Sequence, residues 1–144
     1  MAKGVQYNPD IPLLWLDELK KVPAKAADGV AKYYLNVLKR RFTAMETPDG
    51  SLWKPLSEKY KARKPAAVRD KILELSGRLR NSFTYAVSQQ RIAFMTTVPY
   101  AATHQFGSVK KNIPARPFLG FSKSNLKEIE KVIDEKVYGI KRRK

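Results

Sequence analysis

The chain has 144 residues and carries 29 Lys and Arg against 13 Asp and Glu, a formal net charge of +16. With 43% hydrophobic and 10% aromatic residues it suits one globular domain with a real core, which excludes wholesale disorder. It has no cysteine, so disulfides and thiolate metal sites are excluded; no apolar run approaches the roughly 18–20 residues of a membrane span. The opening residues MAKGVQYNPD lack an apolar core, so no secretory signal is expected there.

Charge is unevenly spread. Residues 1–50 hold 8 basic and 6 acidic side chains, net +2; residues 51–90 hold 9 and 3, net +6; residues 91–144 hold 12 and 4, net +8. Such a surface attracts polyanions at low salt, but charge alone specifies no sequence.

Asn8-Pro9-Asp10 reads as a turn, with Asp10 as a helix cap and Pro12 in the first turn. Leu13, Leu16 and Leu19, beside Trp15, then give a helical apolar stripe ending near Val22. Pro23 breaks it and seeds a second helix. Ala26, Val30, Tyr33, Tyr34, Val37, Leu38 and Phe42 recur at helical spacing, predicting a helix over about 24–44. Residues 1–45 are therefore expected to be a helical amino-terminal part. Lys39-Arg40-Arg41 is placed on the polar side of the long helix, as a solvated charge run.

Thr47-Pro48-Asp49-Gly50 is a strong turn signal, and Ser57 is positioned to cap a short helix over Glu58–Arg63 that Pro65 stops. Trp53 and Leu56 are expected to fold back over Tyr33–Leu38 as a lid on the core. Ile72, Leu73 and Leu75 lead to Ser76-Gly77, with a short helix or bend at Leu79–Phe83. Phe83, Tyr85 and Val87 alternate with Thr84, Ala86 and Ser88, and Ile92, Phe94, Thr96 and Val98 repeat that period of two. The two runs predict a hairpin, although Gln89-Gln90 lacks the glycine of a tight primed turn.

The stretch Tyr100–Phe121, YAATHQFGSVKKNIPARPFLGF, holds the single histidine, two prolines three residues apart and a dense aromatic run. Gly107 can close a short helix built from Tyr100–Phe106, while Pro114 and Pro117 impose extended backbone on their neighbours. So much apolar surface is out of place in a solvated loop: it closes the core or is covered by another subunit. Ser122–Asn125 offers helix caps, and Leu126, Ile129, Ile133, Val137 and Ile140 lie on one face of a last helix. Residues 140–144 form a basic tail. One α+β domain spans 1–144, with amino-terminal helices, a small antiparallel sheet around a hairpin and a carboxy-terminal helix.

Catalytic chemistry has few carriers. His104 is the only imidazole, with no second His or any Cys to complete a metal site, and it reads as a packing or hydrogen-bonding residue. No serine sits in a Gly-x-Ser-x-Gly elbow, the glycines form no phosphate-cradling loop, and most carboxylates sit on helices beside lysines. No cofactor is expected, and the chain does not read as an enzyme.

Three segments in order, TPDGSLWKPL (47–56), ILELSGRLRNS (72–82) and YAATHQFG with IPARPFLGFS (100–122), resemble the phage virion morphogenesis family, the tail completion proteins of Mu-like contractile-tailed phages and prophages. The likeness runs from about residue 42 to residue 138. It implies a structural virion protein that completes the head-proximal end of the tail, as a homo-oligomeric ring of six copies, and enables head-tail joining. Implied partners are tail tube or tail terminator proteins and head-completion (neck) proteins. The implied location is the virion, after assembly in the host cytoplasm, with no membrane involved.

A ring needs two different complementary patches per subunit. Phe106, Arg116, Phe118 and Phe121 have the composition of such a contact, though Phe118 and Leu119 equally suit pinning the last helix onto the sheet. Arg116, stiffened by Pro117, is expected to tie the loop to an acidic or carbonyl partner, with Asp134 and Glu135 nearest among the acids. The rival reading is a non-specific DNA-binding module, with Lys110, Lys111, Lys141, Arg142, Arg143 and Lys144 as contacts; a prophage toxin or nuclease ranks last.

Overall fold

Pro23 starts the longest element. Its carbonyl accepts the amides of Ala26 and Ala27, and helix α1 runs from Ala24 to Ala44, as its spacing predicts. Ala26, Ala27, Val30, Ala31, Tyr34, Val37, Leu38 and Phe42 form one buried stripe on it. Met45, in the left-handed region at φ 56°, ends the helix. The computed structural model describes residues 13–19, 22–88 and 90–141, with the backbone course alone for 13–19.

One face of a three-stranded antiparallel sheet packs on α1. Its strands are β1 (Leu13–Leu19), β2 (Thr84–Ser88) and β3 (Arg91–Thr96), in the order β1-β3-β2. The predicted β2–β3 hairpin forms: Ser88 pairs with Arg91 and Thr84 with Met95, without a register shift. Gln90 supplies the positive φ, 63°, that a glycine would otherwise give the turn. Ile92, Phe94 and Thr96 point inward and are fully buried.

The expected first helix is a correction. Residues 13–19 are strand β1, paired with β3 from Leu13–Thr96 to Leu19–Ile92, with an irregularity between Trp15 and Leu19. Leu13-Leu14-Trp15-Leu16 is an unbroken apolar run, which fits either period, and the ladder bonds offered by β3 decide it. The turn at Asn8–Asp10 and the cap and first turn at Asp10 and Pro12 lie outside the described residues.

The turn at 47–50 closes with Gly50 donating to the Thr47 carbonyl at 3.0 Å and Thr47 to that of Ser51 at 2.7 Å. Ser57 then caps α2 (Glu58–Arg63), its hydroxyl accepting from the Tyr60 amide, and Lys64 turns extended before Pro65. Residues 76–82 make bends and turns without a helix. Helix α3 (Ala101–Phe106) ends at Gly107 as expected.

Helix α4 (Lys123–Tyr138) starts in a capping box, Ser122 and Asn125 each bonding the other's backbone N–H, and packs on α1. Its inner stripe is turned by about one residue from the sequence reading. Asn125 and Ile129 are buried, with Val132, Ile133 and Val137 against the core, while Leu126 and Ile140 stay exposed. Gly29 makes the approach possible: a Cβ there would stand 3.3 Å from both Val132 Cγ1 and Lys136 Cε.

Candidate functional site: a buried strap and its exposed tip

Residues 114–121 cross the core as an extended strap with no sheet partner among the described residues. A buried backbone must still place its N–H and C=O groups. Here side chains and one backbone carbonyl of α3 do it. The Arg116 amide donates to the His104 carbonyl at 2.7 Å, and Trp53 Nε1 donates to the Pro117 carbonyl at 2.8 Å. Gln105 Oε1 accepts the amides of Phe118 and Leu119 at 3.0 and 3.1 Å, while its Nε2 donates to the Leu119 carbonyl at 3.2 Å. Tyr34 Oη both accepts the Gly120 amide and donates to the Gly120 carbonyl, each at 2.9 Å.

Arg41 gathers the strap's end. Its Nη1 donates to the carbonyls of Phe118 and Gly120, both at 2.8 Å, and its Nη2 to Asn125 Oδ1 at 2.7 Å. Its guanidinium is therefore buried among neutral oxygens, within 5.8 Å of the Tyr34 ring. This corrects the reading of residues 39–41 as a wholly solvated run. The sequence held a signal: Tyr34, Leu38 and Arg41 recur at i, i+4, i+7, which puts the arginine on the apolar stripe. Gln105 carried no comparable mark, and the spacing that put Tyr34 on the stripe said nothing of its hydroxyl reaching Gly120.

Lys64 is likewise buried, donating to the Lys71 carbonyl, and burial lowers its pKa despite the charges of Glu74 and Asp70.

The expected site residues separate into three groups. Phe118 is 0% exposed and stacks against Phe42 and Phe83, ring centroids 5.5 Å away in each case. Arg116 is 6% exposed; it donates from Nε to the Lys54 carbonyl at 2.7 Å and from Nη2 to that of Pro55 at 2.9 Å. The expected carbonyl partner thus lies within the chain and belongs to the 54–55 turn, not to Asp134 or Glu135. Phe121 is half-buried against Tyr34 at 4.4 Å. These three aromatic and cationic side chains are taken up within the chain, and Phe118 and Leu119 are both buried in the core. Trp53 is buried as expected, but it meets α1 at Phe42, 5.4 Å edge to face, one turn beyond Leu38.

Phe106, by contrast, is 57% exposed, at the end of α3. Gly107 follows with φ 75°, and a Cβ on it would fall 2.7 Å from the Ala115 nitrogen. The chain then projects a tight loop. Ser108 and Ile113 exchange backbone hydrogen bonds of 2.8 and 2.9 Å, and Asn112 donates to the Val109 carbonyl. Val109 stands fully exposed at its tip, beside exposed Lys110 and Lys111. Lys141 is exposed beyond α4; Arg142, Arg143 and Lys144 lie outside the described residues.

His104, on α3, stands edge-on to Tyr100 at 5.9 Å, with a buried Nδ1 that finds no hydrogen-bond partner among the described residues. Burial, then the Arg116 charge, hold its pKa below the usual imidazole value, so it stands neutral. Among the described residues no group of three or more His, Asp or Glu is placed to hold a metal ion, and no helix is long and apolar enough to cross a membrane.

The class these features define is a small, strongly basic α+β protein whose central strap is fastened by side chains from α1, α3 and the 53–55 turn. The chain belongs to the phage virion morphogenesis family, whose model matches residues 14–138 and so takes in the sheet, the strap and α4. It is similar to Mu-like prophage FluMu G protein 1 of Haemophilus influenzae, 30% identical over 142 residues, covering 92% of this chain and 94% of that one. It is also 33% identical over 129 residues to the uncharacterized protein MJ0331 of Methanocaldococcus jannaschii, covering 84% and 92% of the two chains. No solved structure matches it significantly. Its role lies in phage structure and morphogenesis.

Proposed function

We propose that the protein is a non-catalytic subunit of a ring, six copies in number, that completes the head-proximal end of a phage tail and enables the tail to join the filled head. The observation that carries this reading is the family match across residues 14–138 together with a prophage relative of nearly the same length. The physical character of the chain supports it. Residues that would be candidates for chemistry are committed to the fold: the one imidazole is packed against Tyr100, and Arg41 and Arg116 bond backbone carbonyls. What the surface offers instead is contact area, with Phe106 and Val109 open to solvent beside two lysines.

A phage genome lacking this gene should yield filled heads and tails that remain unjoined, and added purified protein should restore infectious particles. Normal joined particles without the protein would overturn the proposal.

A second reading has its own observation: Lys110 and Lys111 lie exposed at a hydrogen-bonded loop tip on a chain of net charge +16. DNA passing through a ring would meet such charge. Binding to unrelated duplexes should then be weak, indifferent to sequence and steeply salt-dependent.

A further inference from the structure

A ring of these subunits must bring chains of net charge +16 into contact, so the joint is best made where like charge is absent. One stretch stands out. Residues 92–109 carry no charged side chain, but their strand, β3, is the central one; residues 81–90, NSFTYAVSQQ, are the charge-free run that reaches a sheet edge, although 29% of the whole chain is charged. This neutral stretch contains β2, which lies at one end of the β1-β3-β2 order.

Exposed strand edges are ordinarily protected by charge, proline or a bulge. Strand β2 has none of these: Thr84–Ser88 contains no charge and no proline, and it pairs with β3 residue for residue. Thr84, Ala86 and Ser88 are exposed and Val87 is 45% exposed. Counting from the Ser88–Arg91 pair that closes the two-residue loop, the alternation of an antiparallel ladder turns the N–H and C=O groups of Tyr85 and Val87 outward.

The opposite edge of the sheet is β1, and it differs in kind: its pairing with β3 is regular over Leu13–Trp15 and irregular from there to Leu19. It is the most acidic strand, with Asp17 and Glu18 and no basic residue, net −2. Both β1 and β2 run antiparallel to β3, so they run in the same direction as each other. Joining β2 of one copy to β1 of the next would therefore make a parallel pair. Their carboxyl ends would coincide, bringing Asp17 and Glu18 to the end of β2 that leads into Arg91. Unlike edges give a head-to-tail contact, the kind that repeats and makes a ring where the rotation between copies closes; two β2 edges would meet antiparallel and stop at a dimer.

We propose that the edge of β2, which no other strand among the described residues covers, is the subunit joint, and that its occupant is the β1 edge of a second copy of this chain, added as a parallel strand. This rests on the ring reading above and names the surface through which the ring closes.

The test compares backbone amide exchange in the assembled and monomeric protein, together with the variants Ala86→Lys and Ala86→Thr. On assembly the amides of Tyr85 and Val87 and of the 13–19 strand should slow together by at least about tenfold. Ala86→Lys should weaken assembly at least about tenfold at unchanged melting temperature, and the neutral Ala86→Thr should assemble normally. Rings of full mass whose Tyr85 and Val87 amides exchange as fast as in the monomer overturn the joint and leave the ring standing. So does full assembly by Ala86→Lys. A dimer protected only along β2 overturns the proposed occupant. A chain that neither oligomerises nor binds tails removes ring and joint together.

Discussion

Replacing Arg41 with methionine tests the strap most directly. Methionine fills much of the same volume on the α1 stripe but donates nothing. Three short bonds disappear, to the carbonyls of Phe118 and Gly120 and to Asn125 Oδ1. Two of those acceptors keep another donor: Gly120 retains the Tyr34 hydroxyl and Asn125 Oδ1 retains the Ser122 amide at 3.0 Å. The Phe118 carbonyl loses its donor in the core, and an orphaned buried acceptor costs about 1–3 kcal/mol. Bonds to a charged group contribute roughly 1.5–3 kcal/mol each, but removing a buried charge returns part of that. A net loss of about 2–4 kcal/mol results, or roughly 6–12 °C in melting temperature for a domain of this size. Arg41→Lys should lose nearly as much, because one ammonium cannot span three acceptors held in a fork. Urea denaturation with an unchanged slope measures it. A loss below about 0.5 kcal/mol for Arg41→Met, the range of ordinary surface changes, would refute the account of the strap.

Trp53→Ala should cost about 3–5 kcal/mol by denaturation, and Trp53→Phe, which keeps the packing on Phe42 and drops the bond to the Pro117 carbonyl, only about 1–2 kcal/mol. Gly107→Ala combines a left-handed φ of 75° with a 2.7 Å clash against backbone and should be severe, whereas Gly139→Ala, at φ 67° in open space, should cost about 1 kcal/mol; equal losses would contradict the close approach of Ala115. His104 is held neutral by burial, so the unfolded chain binds its proton first: stability should fall as pH drops below the ordinary imidazole value of 6.5, and His104→Asn should flatten that slope in pH-dependent melts.

Elements were legible wherever one local pattern stood alone. The α1 spacing, the Pro48-Asp49-Gly50 turn, the Ser57 cap and the Gly107 stop each have a local cause, and each appears where the residues place it. Residues 13–19 failed because a run of apolar residues fits two periods, and the choice belongs to β3, some seventy-five residues away. Leu126 failed for a similar reason: Asn125 is pulled inward by Arg41, which turns the helix face. Arg116 was legible in kind but not in address. Its stiff backbone and planar fork implied a carbonyl or carboxylate, yet the Lys54 and Pro55 carbonyls are near only once Trp53 has folded onto the strap.

The same long-range bonding changes what the aromatic strap says about assembly. A segment rich in Phe, Arg and Pro has the composition of an interface, and it also has the composition of a core closure that must satisfy its own backbone. The two differ in where the polar atoms go. Here amides or carbonyls from 116 to 120 are met by Gln105, Tyr34, Arg41, Trp53 and the His104 carbonyl, all within the chain. A neighbour could reach Phe118 or Arg116 only by breaking those bonds, at about 1–3 kcal/mol for each group left buried and unpaired. Contact between subunits would be cheaper at groups that are already exposed and that pair with no strand among the described residues. For the ring proposed above, that directs contact away from the strap and toward the Phe106–Lys111 tip and the neutral edge of β2.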